Sequence, residues 1–129
     1  MEENEIGGIV VDAAIQVHRD LGPGLLESVY EIILLHELVQ RGLRARRQVP
    51  VDISYRGYCF DEGFRADLMV EEKVILELKC VERTGHAHRK QFLTYLHLTG
   101  LQLGFLLNFG EALMKNGITR IVNGLRDDQ

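Results

Sequence analysis

Apolar residues recur at two different periods along this 129-residue chain. Ile9, Val10, Ala13, Ala14 and Val17 form one stripe at helical spacing, so Ile6 to Asp20 reads as an amphipathic helix. Leu21-Gly22-Pro23-Gly24 breaks it. Leu25 to Arg41 reads as a second, more apolar helix, with Gly42 suited to its C-cap. The period then changes to two: Val49, Val51, Ile53 and Tyr55 alternate with polar residues, predicting a strand over Gln48 to Tyr55. Arg56-Gly57 marks a turn. Tyr58 to Gly63 is read as a short strand or as a loop leading into a hairpin.

Phe64 to Val70 and Val74 to Val81 are the two strand-like segments of that hairpin, joined by Glu71-Glu72-Lys73. Phe64, Ala66, Leu68 and Val70 alternate with Arg65, Asp67 and Met69. Successive strand side chains point to opposite faces, so Glu77 and Lys79 share one. If the three linking residues form the turn, Val70 faces Val74, Leu68 faces Leu76 and Asp67 faces Glu77. One side of the hairpin is then wholly apolar, and the other sets two carboxylates about 5 Å apart at their Cβ atoms. Like charges directly opposite are destabilising, and in a low dielectric one of them holds its proton. A divalent cation removes the conflict, because hard cations such as Mg²⁺ take carboxylate oxygens. Lys79, on the same face, can reach past the metal to a phosphate or a water. The spacing alone is equally that of an exposed hairpin with ordinary surface charges.

After Gly85, His86 to Leu98 reads as a helix. Leu101 to Phe109 is a continuous apolar run, as in a buried strand, and Gly117 to Val122 is read as a last short strand. The order α-α-β-β-β-α-β-(β) predicts an α/β fold, a central mixed β-sheet with helices packed on its faces.

Composition narrows the classes. The length predicts a single domain over residues 1–129 with a sizeable core. Hydrophobic residues make up 46% and charged residues 26%, and no apolar run reaches the 18 or so residues of a membrane helix. No membrane association is expected. The acidic start has no signal-peptide pattern, and Cys59 and Cys80 make neither a disulfide framework nor a zinc motif, which points to a reducing cytoplasm. The net charge of −4 argues against non-specific nucleic-acid binding, which runs on basic surface. Local asymmetry remains: Arg41, Arg44, Arg46 and Arg47 cluster, and Arg83, His86, His88, Arg89 and Lys90 cluster again just after the Glu77/Lys79 strand.

Other chemistry is sparse. Glu27 lies in the first turn or two of the second helix, where the dipole favours an acid, and shares a face with Tyr30, Glu31 and Leu34. Gln91 and Tyr95 lie four apart on one face of the later helix. His86 and His88 diverge around a helix and do not make a shared metal site; His18, His36 and His97 have no identifiable partner. There is no Gly-rich phosphate loop and no nucleophile elbow.

Taken together, these residues resemble a known family. Gly24-Leu25-Leu26-Glu27-Ser28-Val29-Tyr30 matches the Gly-x-x-Glu-x-x-Tyr signature of the GxxExxY proteins. Phe64-Arg65-Ala66-Asp67-Leu68, Glu77-Leu78-Lys79 and Gln91 to Tyr95 are similar to the rest of that pattern, which is usually placed near the RecB-like branch of the PD-(D/E)xK nuclease superfamily. Ala66 stands where the superfamily name has Pro. The resemblance implies a restriction-endonuclease-like core. It implies that Asp67 and Glu77 bind Mg²⁺ or Mn²⁺, that Glu27 completes or supports the site, and that Lys79 positions water or stabilises phosphate charge. Gln91 and Tyr95 would orient substrate. The leading expectation is a metal-dependent nuclease acting on nucleic acid, DNA rather than RNA. The alternatives are a catalytically silent nuclease-fold module that binds nucleic acid or a protein partner, and a hydrolase of small phosphoesters. A core this small leaves little surface to grip a duplex, which points to a homodimer or a larger complex.

Overall fold

The computed structural model describes residues 1–125, apart from the side chains of residues 61 and 62. Helices α1 (Glu3–Leu21) and α2 (Glu27–Gln40) lead into strands β1 (Ala45–Tyr55), β2 (Tyr58–Val70) and β3 (Val74–Lys79). Helix α3 (His86–Thr99), β4 (Leu103–Asn108), a 3-10 turn (Met114–Asn116) and β5 (Ile118–Val122) complete the order. The strands form a five-stranded sheet in the order β1-β2-β3-β4-β5. β3 and β4 are parallel and the other neighbours antiparallel. A parallel pair needs a crossover of a dozen or more residues, and α3 supplies it. This is the mixed α/β architecture that the order of elements predicts and the restriction-endonuclease-like core that the resemblance implies.

Each face of the sheet carries its own core. The α1 stripe packs with Tyr30, Leu34 and Leu38 of α2 onto Leu68, Val70, Val74, Leu76, Leu78 and Phe105. On the other face Phe92 and Leu96 of α3 cover Val49, Val51, Ala66, Met69, Ile75, Leu106 and Ile121. β4 lies between the two layers and all six of its residues are buried, which is why its sequence runs apolar without alternation. Two glycines permit the close approach. A Cβ at Gly104 would run into the Phe92 ring, and one at Gly7 would come within 3.1 Å of Phe105. No helix among the described residues is long and apolar enough to cross a membrane.

Tyr58 to Gly63 is neither a loop nor a separate strand. It is the first half of a 13-residue β2, paired with β1 up to Tyr55 and Tyr58 at the tip. Arg56 and Gly57 both take positive φ, 51° and 81°, as the tightest hairpin turns require.

The second hairpin keeps the expected register at its closed end, with Val70 opposite Val74 and Leu68 opposite Leu76. Glu71 and Glu72 turn the chain with φ of 54° and 55°, a conformation uncommon for residues other than glycine. The turn is anchored from β1: the Glu71 N–H donates to the Arg44 carbonyl at 2.8 Å, and the Arg44 N–H donates to Glu71 Oε2 at 2.6 Å.

Further along, two expectations are corrected. Pairing of β2 with β3 stops at Leu68 and Leu76, so Asp67 and Glu77 are not a cross-strand pair. The strict alternation also breaks. Ala66 packs with α3 whereas Leu68 packs with α1 and α2, although residues two apart on a regular strand share a face. The reversal falls at Asp67 and, across the ladder, at Gln48, whose φ is 50°.

Candidate active site

β3 continues alongside β4 to Lys79 while β2 stays with β1 and parts from β3. The fork between β2 and β3 opens at Asp67 and Glu77. Asp67 spans it: Oδ2 accepts the Leu78 N–H at 2.8 Å, and Oδ1 accepts from Gln48 Nε2 at 3.5 Å. A ladder amide on β3 is thus satisfied by a side chain, which holds the carboxylate at the mouth of the fork.

Helix α2 brings the acid from the other side. The Tyr30 hydroxyl donates to the Gly22 carbonyl and accepts the Leu25 N–H at 3.1 Å. Its ring stacks on Phe109 with centroids 4.5 Å apart. The corner preceding α2 is thereby tied to the core, and Glu27 starts the helix at a set position. The Cys80 N–H, just past β3, faces its carboxylate and opposes the rise of its pKa. Glu31, one turn on, is only 5% exposed and accepts from Arg47 Nε at 3.2 Å and Gln48 Nε2 at 2.9 Å. The chain after β3 is clamped by buried Asn108, which accepts the Val81 N–H at 3.1 Å and donates to the Val81 carbonyl at 2.9 Å.

Glu27, Asp67, Glu77 and Lys79 therefore converge, and the electrostatics register it. Burial pushes the Asp67 carboxyl above its ordinary value, and the charge of Glu31 adds to the rise. Burial pushes Glu77 up as well, reinforced by Asp67 and Glu27 and opposed by the ammonium of Lys79 and by His88. Glu27 is exposed along much of its length, yet it is raised by partial burial and then by Asp67. Burial next to Glu27 raises the Cys80 thiol. Lys79 opposes the rise at all three carboxylates, so its cation sits among them.

The helix pair is placed differently. Gln91 is exposed, and no hydrogen bond among the described residues ties it to the carboxylates. Tyr95 stacks face to face on Phe64, with centroids 3.9 Å apart and rings inclined by 6°, so packing against β2 sets its orientation. Three participants escaped the sequence reading. Glu31 was on the face of Glu27, but its burial could not be seen there. Gln48 carried no signal, and His88 was placed only in a basic cluster. His18 does have a partner: its Nε2 lies 2.8 Å from the Glu111 carbonyl. Among the described residues no group of three Asp, Glu, His or Cys side chains stands ready to hold a metal ion.

The two basic clusters also separate. Arg41 pairs with Glu37, Arg44 with Glu71, Arg46 with Glu72 and Arg47 with Glu31. The first cluster is neutralised within the fold and is not a free basic surface.

A mixed sheet between helices, with acids and a lysine gathered where two central strands part, defines a nuclease-like α/β protein. The chain belongs to the PD-(D/E)XK nuclease superfamily, whose family model matches residues 4–121. Among solved structures it is similar to one titled "Crystal structure of SSO0001", at 15% identity and a TM-score of 0.48, over 95% of this chain and 68% of that one. No curated protein sequence matches it.

Proposed function

We propose that this protein is a metal-dependent nuclease that hydrolyses phosphodiester bonds of DNA. The observation that carries the reading is the convergence of Asp67, Glu77 and Glu27, all held above their ordinary pKa, around Lys79 at the fork. The family membership supports it, as does the resemblance of the Gly24 to Tyr30 segment to the GxxExxY signature.

The donor set suits a hard divalent cation. Carboxylate oxygens are the ligands Mg²⁺ prefers, and Mg²⁺ is commonly held by one or two carboxylates with waters and substrate phosphates completing its shell. In this reading Asp67 and Glu77 hold Mg²⁺ or Mn²⁺, and Glu27 supports them. The bound cation would supply Lewis-acid polarisation of the phosphate and a water of lowered pKa. The protein does the rest. The Leu78 N–H fixes Asp67 by one oxygen and leaves the other toward Gln48. Lys79 offsets charge on the phosphate. Gln91 presents its amide to the substrate from α3, and the Phe64–Tyr95 stack keeps that helix oriented against β2.

The test is calorimetric titration of Mn²⁺ and Mg²⁺ into the metal-free protein, with the Asp67→Asn/Glu77→Gln double variant as control, and then cleavage of DNA. Saturable binding and cleavage, both lost in the control, are expected. Cleavage that persists in the double variant would overturn the assignment. A second reading is a silent nuclease-fold module that binds nucleic acid without cutting it. It is favoured by the engagement of Asp67 Oδ2 with a backbone amide, which a metal would have to share. Binding of DNA by the metal-loaded protein without any cleavage would select it.

A further inference from the structure

The arginines and lysine of the second basic cluster, unlike the arginines of the first, form no ion pair among the described residues. Arg89 and Lys90, in the opening turns of α3, line a groove of about 340 Å³ against β5. Leu93, Thr119 and Ile121 contribute most of the rest of its lining, and no acid lines it. Both cations are exposed, and among the described residues neither pairs with a carboxylate. Arg120 of β5 turns to the opposite face: it pairs with Phe105, which packs against α1, and donates to Asn4 Oδ1 at 2.8 Å. In a chain of net charge −4, two adjacent cations left unpaired along one groove create a local field that favours polyanions.

The sheet fixes where this groove lies. Glu77 pairs with Leu106, and Leu106 with Thr119, so Glu77 and the groove share one rung, two strand spacings or about 10 Å apart. Directly paired residues point to the same face, here the one that α3 covers, since Ile75, Leu106 and Ile121 all pack beneath Phe92 and Leu96. His88, one residue before Arg89, faces the Glu77 carboxylate closely enough to lower its pKa. The first turns of α3 therefore join the fork to the groove.

We propose that the groove between α3 and β5, with Arg89 and Lys90, is the track that holds the phosphate backbone of a nucleic-acid substrate. The strand runs from there across α3 to the fork. At 3.4 Å of rise per nucleotide, about 10 Å is a step of roughly three nucleotides. The surface of Arg41 to Arg47, whose cations are already paired, takes no part. This assignment rests on the nuclease reading for the identity of its ligand but not on catalysis.

The test is binding of a short fluorescein-labelled DNA, read by anisotropy across a salt series in EDTA, so that neither metal nor cleavage enters. Arg89→Ala/Lys90→Ala is compared with Arg44→Ala/Arg46→Ala. Arg89→Gln/Lys90→Gln covers the case in which the alanine variant fails to fold. The groove variants are expected to lose about tenfold or more in affinity, with the salt slope falling by roughly one for each cation removed. The control should bind as the wild type does. Equal losses in the two sets, unchanged binding in the groove variants, or no salt-dependent binding by the wild type would each overturn the proposal. A metal titration at Asp67 and Glu77 is read separately, so failure of the groove leaves the cleavage site to its own test.

Discussion

The two ends of the β2–β3 hairpin carry the same kind of residue in opposite circumstances. At the closed end, Glu71 accepts the Arg44 N–H and guanidinium, which hold its carboxyl below the ordinary value. Glu72 accepts two hydrogen bonds from Arg46, both at 2.8 Å. Beneath them Leu68, Val70, Val74 and Leu76 are fully buried. At the open end the strands part, and Asp67 and Glu77 meet burial and one another, with Lys79 as the cation set among them. One end has acids placed where they stabilise the fold. The other keeps acids where they strain it, and such local conflicts concentrate at functional sites.

The comparison breaks most sharply through activity. Asp67→Ala or Glu77→Ala should abolish metal binding and cleavage together, and retention of either in calorimetry or a cleavage assay would mean that the open end is merely strained. At the closed end the large effect should be on stability. Leu76→Ala removes a fully buried side chain and should cost about 2–5 kcal/mol in urea unfolding, with metal affinity retained in the folded fraction.

The conflict at the open end should also be visible without metal. Asp67→Asn and Glu77→Gln remove buried charge and should each stabilise the metal-free protein by about 0.5–2 kcal/mol at neutral pH. The sign comes from linkage. A carboxyl whose folded pKa is raised costs stability once it ionises, so the native state regains stability as pH falls through that raised value, and the advantage of the variants disappears in acid. Thermal melts across pH would show it, and a variant advantage that grows in acid would contradict it. Glu71→Gln should give the smallest change and the opposite trend. Its folded pKa is lowered, so its contribution is present above the ordinary carboxylate range and fades as pH falls through the lower folded value. The variant should lose that acid sensitivity.

Periodicity in the sequence was enough for the elements and for much of their arrangement. The α1 stripe, the unbroken apolar β4 and the closed-end register of Val70 with Val74 are local patterns, because a side chain's face depends on its neighbours in the chain. The acids and the lysine were legible as residue types at strand and helix positions. Their meeting was not, since Glu27 reaches β3 only through the corner that Tyr30 ties down. The face reversal at Asp67 rests on a left-handed Gln48, which no glycine announces, and the parting of β2 from β3 depends on which neighbour each strand pairs with. The fate of the two basic clusters was decided in the same way. Both are basic clusters in the sequence, but only the folded chain brings Glu31, Glu71 and Glu72 to the first and leaves Arg89 and Lys90 of the second along an open groove. Ion pairing is a property of distance in space, and the sequence by itself determines only which charges are available to be paired.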